Sequence, residues 1–219
     1  MSMLNERVAN TDGVYYGLSR EPLMSLLEDI AGRVLEIGCG NGVTLELLKN
    51  RGASYVCGFE VNPTVAAQAR ARKSVDEVHV GDIEKEVTSF PDNSFDIVVA
   101  SHVLEHLVDP WRLTREICRI LRPGGVLVGA IPNVRHLSVI MPLVLKGKWD
   151  YADSGIMDWT HVRFFTRDGI FAMLNKAGFR DVRLNADILG GKSAWLDRIT
   201  FGMLKNFTAY AYNFAGRKP

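Results

Sequence analysis

The sequence predicts an α/β fold in which helices cover a mostly parallel sheet. Short β-branched runs alternate with stretches of helical periodicity, which is the pattern of β–α–β units. The 219 residues are 47% hydrophobic and 23% charged, which suits a single domain over residues 1–219 with a sizeable core. The first five strands are predicted at 33–37, 55–59, 77–80, 95–100 and 126–131, separated by helices near 43–50, 63–73 and 109–121.

The element boundaries carry their own signals. Asn62-Pro63 and Asp109-Pro110 each place a capping side chain before a proline that suits the first helical position. Pro22 followed by apolar residues at helical spacing predicts an opening helix over 22–30. Beyond residue 163 the pattern predicts a helix from Thr166, a strand at 179–184, a helix near 194–206 and a strand near 207–217.

Composition excludes several classes of function. The 26 Lys and Arg nearly balance the 25 Asp and Glu, so no global positive field favours nucleic acid. Cys39, Cys57 and Cys118 form no C-x-x-C pair, which favours a reducing, cytoplasmic location. Residues 1–10 lack the apolar stretch of a signal peptide, and the most apolar window, 137–145, is far shorter than the roughly 20 residues of a membrane span.

A glycine-rich segment follows the first strand. Gly38, Gly40 and Gly42 alternate in G-x-G-x-G spacing, which lets backbone approach a nucleotide-like ligand at the start of the next helix. Val43 stands where a dinucleotide-binding motif has its third glycine, and no phosphate-loop Lys-Ser or Lys-Thr follows. Glu36 would repel a pyrophosphate and suit an ammonium group.

Two more acidic residues stand at the ends of the next strands. Glu60 ends the second strand, where a carboxylate can accept both hydroxyls of a ribose. Asp82 follows the third strand and can accept from the exocyclic amine of an adenine. The alternative is that each acidic residue caps a helix or pairs with a surface Lys or Arg.

Together these motifs resemble those of the class I S-adenosylmethionine-dependent methyltransferases over nearly the whole chain. The resemblance rests on 36–42, Glu60, 81–83, 95–101, 104–107 and 121–126. It implies a Rossmann-like seven-stranded sheet with helices on both faces and an antiparallel last strand, and S-adenosylmethionine as cofactor. The cofactor-binding residues that it implies are Glu36, Gly38, Cys39, Gly40, Gly42, Glu60, Val61, Gly81, Asp82, Ile83, Ser101 and His102.

Two flanking segments are similar to methyltransferases associated with polysaccharide or glycolipid assembly. They are 15–23, in which two tyrosines precede Arg20, and 155–166, which reads GIMDWTHVRFFT. This likeness implies that residues 1–30 cover the cofactor, that Arg20 pairs with its carboxylate and that Tyr15 or Tyr16 lies beside the sulfonium. The alternative is a surface arginine and two packing tyrosines.

The regular alternation stops at 132–163, and a segment this long is typical of a lid or substrate-binding insert. The candidate general bases for a hydroxyl acceptor are His161, His102 and His106, and we favour His161, oriented by Asp158. His161 and Arg163 could instead only tie the insert to the sheet edge. Ser101-His102-Val103-Leu104 stands where the amine-methylating nucleic-acid enzymes of the superfamily have an Asn/Asp-Pro-Pro-aromatic motif, which favours an oxygen acceptor. Expected substrate contacts are His106, Asn133, Tyr151 and Arg163.

The segment 102–106 also matches H-x-x-E-H, the motif of inverted zinc peptidases. Because it directly follows a strand of the nucleotide-binding pattern, we predict no metal. A divalent ion on Glu105, His106 and Asp109 stays a minor alternative.

Other functions remain open. The fold could serve as a non-catalytic scaffold, or as an NAD-type dehydrogenase, although the glycine spacing disfavours the latter. The acceptor is expected to be a small molecule or a glycan- or lipid-linked group. The apolar window 137–145 and the aromatic residues at 201–214 could contact a membrane surface, or bury in the core and in a homodimer.

Overall fold

The computed structural model describes residues 21–27 and 29–219; the predicted roles of Tyr15, Tyr16 and Arg20 lie outside this part. Seven strands run as β1 Arg33–Ile37, β2 Tyr55–Glu60, β3 Glu77–Val80, β4 Phe95–Ser101, β5 Leu121–Pro132, β6 Arg180–Asp187 and β7 Ala211–Arg217. The helices are α1 Glu21–Met24, α2 Val43–Asn50, α3 Pro63–Arg70, α4 Ile83–Glu86, α5 Pro110–Ile120, α6 Leu137–Lys146, α7 Arg167–Ala177, α8 Lys192–Ile199 and α9 Lys205–Thr208. Short 3₁₀ turns cover Val87–Ser89 and Leu104–His106.

The strands form one sheet in the order β3-β2-β1-β4-β5-β7-β6. Strands β1 to β5 are parallel to one another, and β7 is antiparallel to both β5 and β6. The predicted seven-stranded sheet with an antiparallel last strand is therefore confirmed. The chain adds β2 and β3 on one side of β1, and then β4 and β5 on the other side. Open α/β sheets form their ligand crevice at the point where the strand order changes direction, here between β1 and β4.

Alternating side chains build a core on each face of the sheet. Val34 packs in one buried cluster and the adjacent Leu35 in the other, as the two-residue period of a strand requires. The first cluster also holds side chains of α1, α2 and α3, and the second holds those of α4, α5 and α7. Helices thus cover both faces, as predicted.

Two predicted helices differ from the structure. The opening helix ends at Met24, because hydrogen-bonded turns at Leu26 and Leu27 let the apolar side chains pack on the sheet without a longer helix. The predicted helix 194–206 is split into α8 and α9. Phe201 and Gly202 have φ angles of 51° and 76°, which an α-helix cannot contain. Since α9 occupies 205–208, the last strand begins at Ala211 instead of 207.

The insert at 132–163 contains a helix of its own, α6. His136 caps its start by accepting from the Ser138 N–H at 3.2 Å, and Gly147 ends it with a φ of 62°. The other ring nitrogen of His136 lies 3.2 Å from the Ser193 hydroxyl, which links the insert to α8. Among the described residues, no helix has both the length and the apolar character that crossing a membrane requires.

Candidate functional site

The carboxyl ends of β1 to β4 meet at one edge of the sheet, where the glycine loop and the acidic residues lie. Gly38, Gly40 and Gly42 have φ angles of 69°, 54° and 80°. A side chain at Gly38 would place its Cβ 2.7 Å from a methyl carbon of Val103, so the close approach itself requires glycine. The Gly38 N–H donates to the Phe59 carbonyl at 2.8 Å and fixes the loop against β2.

Glu60 joins the end of β2 to this loop. Its Oε2 accepts from the Gly40 N–H and its Oε1 from the Asn62 N–H, both at 2.9 Å, and the residue is only 3% exposed. Burial raises the pKa of Glu60 above its ordinary value, although these N–H groups oppose the rise. Each carboxylate oxygen has a second lone pair, so the group can still accept from the two hydroxyls of a ribose.

The other predicted cofactor residues surround the same edge. Glu36 is buried in β1 opposite Gly58 and Val99. Asp82 caps α4 by accepting from the Glu84 N–H at 3.1 Å and pairs with Lys85 at 2.9 Å, which are the contacts of the alternative interpretation. Of the other predicted cofactor-binding residues, Cys39 and Ile83 are buried. Val61 and Gly81 are partly exposed.

Cys39 is not a reactive thiol. Its side chain is buried against β2, with the sulfur only 2.5 Å from where a Cβ at Gly58 would stand. Burial raises its pKa far above the ordinary value, and nearby Glu36 and Glu60 add to the rise. The thiol therefore stays protonated and serves packing.

Ser101 and His102 lie where β4 ends beside the glycine loop. The Ser101 hydroxyl is buried and has no hydrogen-bond partner within the described part of the chain. His102 has a φ of 54°, and its N–H donates to the Ala130 carbonyl at 2.9 Å. Its Nδ1 lies 3.2 Å from Oε1 of Glu105, so the imidazole is held by the turn that follows.

That turn, Leu104–His106, meets the insert. The Glu105 carbonyl accepts from the N–H groups of Val162 and Arg163, both at 3.0 Å. The His106 Nδ1 lies 3.2 Å from the Thr160 carbonyl, and the His106 and His161 rings are 4.7 Å apart between centroids. The chain thus brings together Glu105, His106 and His161, which we call the His-Glu cluster.

Burial controls protonation in the His-Glu cluster. Burial pushes the pKa of Glu105 upward, but the hydrogen bond with His102 and its electrostatic attraction outweigh burial and hold the pKa below its ordinary value. Burial lowers the pKa of His106, against the attraction of Glu105. At neutral pH the cluster therefore pairs a carboxylate with a neutral His106 imidazole.

The structure corrects the roles of two predicted residues. The Asp158 carboxylate accepts from the N–H and hydroxyl of Thr160, and the His161 Nδ1 instead lies 2.9 Å from the Ile156 carbonyl. Asp158 therefore does not orient the imidazole. Asn133 is completely buried, and its amide makes three hydrogen bonds, with Arg135, Asn206 and Ala209. Its side chain anchors the insert and does not face a substrate.

The other two predicted substrate residues lie in the insert, and both contact other residues of the protein. The Arg163 guanidinium donates to the Val108 carbonyl, with its Nε at 3.1 Å, which agrees with a tie between the insert and the sheet edge. Tyr151 stacks on Trp159 with ring centroids 5.0 Å apart, and its ring is partly exposed. Tyr151 thus remains accessible to an acceptor.

A cavity lies at the opposite edge of the sheet. Leu26, Asp96 and Arg217 line it, at the amino-terminal side of the parallel strands. Parallel sheets bind ligands at their carboxyl edge, so this cavity does not belong to the site.

Comparisons with known proteins agree with this geometry. A family model described as "Methyltransferase domain" matches residues 35–129. A ubiquinone biosynthesis O-methyltransferase from Neisseria meningitidis is 29% identical over 162 residues, covering 68% of this chain and 65% of that protein. Residues 35–129 therefore form a methyltransferase domain of the class I, S-adenosylmethionine-dependent type. The match spans just under two thirds of the length of that relative.

Solved structures show the same methyltransferase fold. A possible histamine N-methyltransferase from Thermotoga maritima superposes with a TM-score of 0.64 and 23% identity, covering 91% of this chain and 87% of that one. Phosphoethanolamine N-methyltransferase 2 of Haemonchus contortus, solved with S-adenosylmethionine, has a TM-score of 0.65 and 16% identity, covering 100% and 60%. The family cofactor is S-adenosylmethionine.

Sequence reasoning on this methyltransferase considered Glu105 only as one ligand of a minor alternative metal site. The residue is 1% exposed, and its Oε2 has no hydrogen-bond partner among the described residues. Its position inside H-x-x-E-H was the available signal. The backbone carbonyls of Ile156 and Thr160, which hold the two imidazoles, carried no signal because any residue type supplies a carbonyl.

Proposed function

We propose that this chain transfers a methyl group from S-adenosylmethionine to an oxygen of a small-molecule, carbohydrate or lipid-linked acceptor. The observation that carries the proposal is the hydrogen bond between the Gly40 N–H and the buried Glu60 carboxylate. It supports the proposal because a carboxylate able to accept from ribose hydroxyls then lies beside a glycine loop, where a side chain at Gly38 would clash with Val103. Val61 and Ile83 then flank the adenine, and Asp82 meets its amine from the end of β3.

The proposed reaction is an in-line displacement. The acceptor oxygen forms a bond to the methyl carbon while the carbon–sulfur bond breaks. The electron pair of the broken carbon–sulfur bond stays on sulfur, so S-adenosylhomocysteine leaves as a neutral thioether. The proton of the acceptor hydroxyl passes to a base. Alignment of the two reactants supplies up to roughly 7–11 kcal/mol in favourable cases. The buried Ser101 hydroxyl at the end of β4 is free to contact the methyl donor or the acceptor.

An oxygen acceptor is supported by three observations. The Asn/Asp-Pro-Pro-aromatic motif of amine-methylating nucleic-acid enzymes is missing after β4, and the Neisseria relative is named as an O-methyltransferase. The hydrogen bond to Ile156 requires that His161 carries its proton on Nδ1, which leaves the lone pair on Nε2. The insert therefore presents a basic nitrogen beside β4, although Asp158 does not orient it.

The acceptor class is inferred from the insert at 132–163. Val144, Leu145 and Trp149 of this segment are exposed, and Phe201 between α8 and α9 is 94% exposed. Tyr212 and Phe214, in contrast, belong to the core. An exposed apolar surface on the insert that carries His161 suits a lipid-linked glycan, which agrees with the likeness to polysaccharide-associated methyltransferases. A cytoplasmic location is part of this proposal, and a homodimer is the other use of the same surface.

Calorimetry tests cofactor binding first. The chain is expected to bind S-adenosylhomocysteine and to ignore NAD. Labelled S-adenosylmethionine incubated with cell extracts, followed by mass spectrometry, then identifies the methylated acceptor. Folded protein that binds neither S-adenosylmethionine nor its product would overturn the proposal. Flotation with liposomes tests the lipid surface, and Val144→Ser with Leu145→Ser should reduce any binding.

A further inference from the structure

The geometry points to a binding site for one zinc-type divalent cation formed by Glu105, His106 and His161, the His-Glu cluster. One potential ligand atom from each residue lies within 4.8 Å of those of the other two. The ligands come from the turn after β4 and from the end of the insert, which main-chain hydrogen bonds to the Glu105 carbonyl already hold together. This reverses the metal-free expectation drawn from the sequence.

Both imidazoles are oriented as metal ligands are. The Nδ1 of His106 faces the Thr160 carbonyl at 3.2 Å, and the Nδ1 of His161 faces the Ile156 carbonyl at 2.9 Å. A carbonyl only accepts, so each Nδ1 carries the proton and each Nε2 keeps its lone pair. Metal-binding histidines commonly donate their second nitrogen to a carbonyl in this way, which fixes the tautomer and the ring.

The carboxylate supplies an independent indication. Oε1 of Glu105 contacts the His102 imidazole at 3.2 Å, while Oε2 has no hydrogen-bond partner in the described part of the chain. At 1% exposure, the side chain cannot gain that partner from bulk water. A buried carboxylate oxygen left unsatisfied costs free energy. A cation bound to Oε2 removes that cost.

The donor set selects the kind of ion. Two imidazoles and one carboxylate suit Zn²⁺, Co²⁺, Fe²⁺ or Ni²⁺, whereas Mg²⁺ and Ca²⁺ prefer oxygen ligands. Three protein ligands with positions left for water or substrate are typical of catalytic zinc sites. Asp109, the third ligand considered from the sequence, instead caps α5 by accepting from the Arg112 N–H at 2.9 Å. His161 takes its place.

The ion would change how the acceptor is activated, and this consequence rests on the proposed function. A hydroxyl bound at an open position of the ion would be more acidic and would lose its proton to solvent at neutral pH. His161 then acts as a ligand and has no lone pair left to serve as the base.

A second group of residues in the chain provides a matched control. Cys57, Glu77 and His79 also bring potential ligand atoms within 4.8 Å. There the His79 Nε2 already pairs with Glu77 at 3.1 Å, and the Tyr55 hydroxyl donates to the same carboxylate. His79→Gln thus removes an imidazole without touching the His-Glu cluster.

The test is titration of the chelator-treated full chain with Co²⁺, followed by visible absorption and a count of bound metal. We expect one equivalent with a d–d band, and a rise in thermal midpoint with Zn²⁺ but not with Mg²⁺. His161→Gln and Glu105→Gln should weaken binding by more than about a hundredfold, because losing a ligand costs more than losing a group behind it. His79→Gln should bind like the wild type.

Each outcome decides the proposal. Absence of Co²⁺ binding by folded wild-type protein, or equal affinity in His161→Gln, overturns it. If a variant fails to fold, the Zn²⁺-dependent thermal shift of the wild type and of His79→Gln still decides. Calorimetry with S-adenosylhomocysteine on the metal-free chain separates the two proposals. Cofactor binding without Co²⁺ binding rejects only the metal site, and Co²⁺ binding without cofactor binding rejects only the methyltransferase function.

Discussion

The glycine loop and the His-Glu cluster lie at the same edge of the sheet but are assembled differently. The loop contacts Glu60 across 20 residues of chain, within one β–α–β unit. His106 reaches the Thr160 carbonyl across 54 residues, through the insert. The cofactor region is therefore specified by adjacent motifs, whereas the acceptor region depends on how a long insert docks. Variants that separate the two regions test this difference.

The largest expected effect is in the cofactor region. Glu60→Ala removes the carboxylate that would accept two ribose hydroxyls, so S-adenosylhomocysteine binding should weaken by about 3–6 kcal/mol. Calorimetry measures the loss. Glu77→Ala, which removes an exposed carboxylate from β3, should leave affinity unchanged. An unchanged affinity in Glu60→Ala would mean that the ribose binds elsewhere.

Asn133→Ala tests the anchor of the insert. Three hydrogen-bonding groups lose their partner in a completely buried position, so unfolding free energy should fall by about 2–4 kcal/mol. Cofactor affinity of the folded fraction should not change, because Asn133 lies outside the glycine loop. Chemical denaturation and calorimetry measure the two quantities, with Asn175→Ala as control, since that partly exposed amide makes a single hydrogen bond, to the Phe171 carbonyl. A parallel loss of cofactor affinity would contradict the separation of the two regions.

Arg163→Lys tests the tie at the other end of the insert. The guanidinium donates two N–H groups to the Val108 carbonyl, and a lysine ammonium cannot reproduce that fork. We expect a loss of about 1 kcal/mol in urea unfolding. Arg167→Lys at the exposed start of α7 should cost less. Equal costs for both would show that the fork contributes nothing.

The smallest effect lies in the cofactor half but away from the site. Burial alone would raise the pKa of Asp76, but Lys49 at 2.7 Å and the Val56 N–H at 2.8 Å outweigh it and lower the pKa. A lowered folded-state pKa stabilises the protein at pH values above the unfolded-state pKa of about 3.9. That stabilisation is lost as the pH falls through the folded-state pKa.

Solvent screening limits this contribution to no more than about 1 kcal/mol, since the Asp76 side chain is 34% exposed. Asp76→Asn should therefore lower stability at pH 7 and flatten its decline in acid, as followed by urea unfolding at several pH values. Exposed Asp153→Asn is the control. A decline in acid as steep in Asp76→Asn as in the wild type would reject the assignment.

The same contrast explains what could be predicted from sequence. Strands β1 to β5 and the caps at Asn62 and Asp109 were predictable because short periodic runs and capping side chains act locally. The break at Phe201 and Gly202 was not, since a non-glycine residue with positive φ carries no clear sequence signal. In the site, the strand-end residues were predictable from the fold.

The acceptor region escaped sequence reasoning because its contacts are long-range. Asp158 stands near His161 in sequence, yet the turn through Gly155 directs the carboxylate to Thr160 and leaves the imidazole to a backbone carbonyl. Likewise, Asn133 follows β5, but its amide meets Asn206 on α9. Sequence spacing does not specify either partner.

The most direct test of the proposed cofactor site is a crystal structure of the chain with S-adenosylhomocysteine. Both ribose hydroxyls are expected within hydrogen-bond distance of the Glu60 carboxylate, with the adenine between Val61 and Ile83. Nucleoside density at another edge of the sheet, or a carboxylate turned away from the ribose, would contradict it.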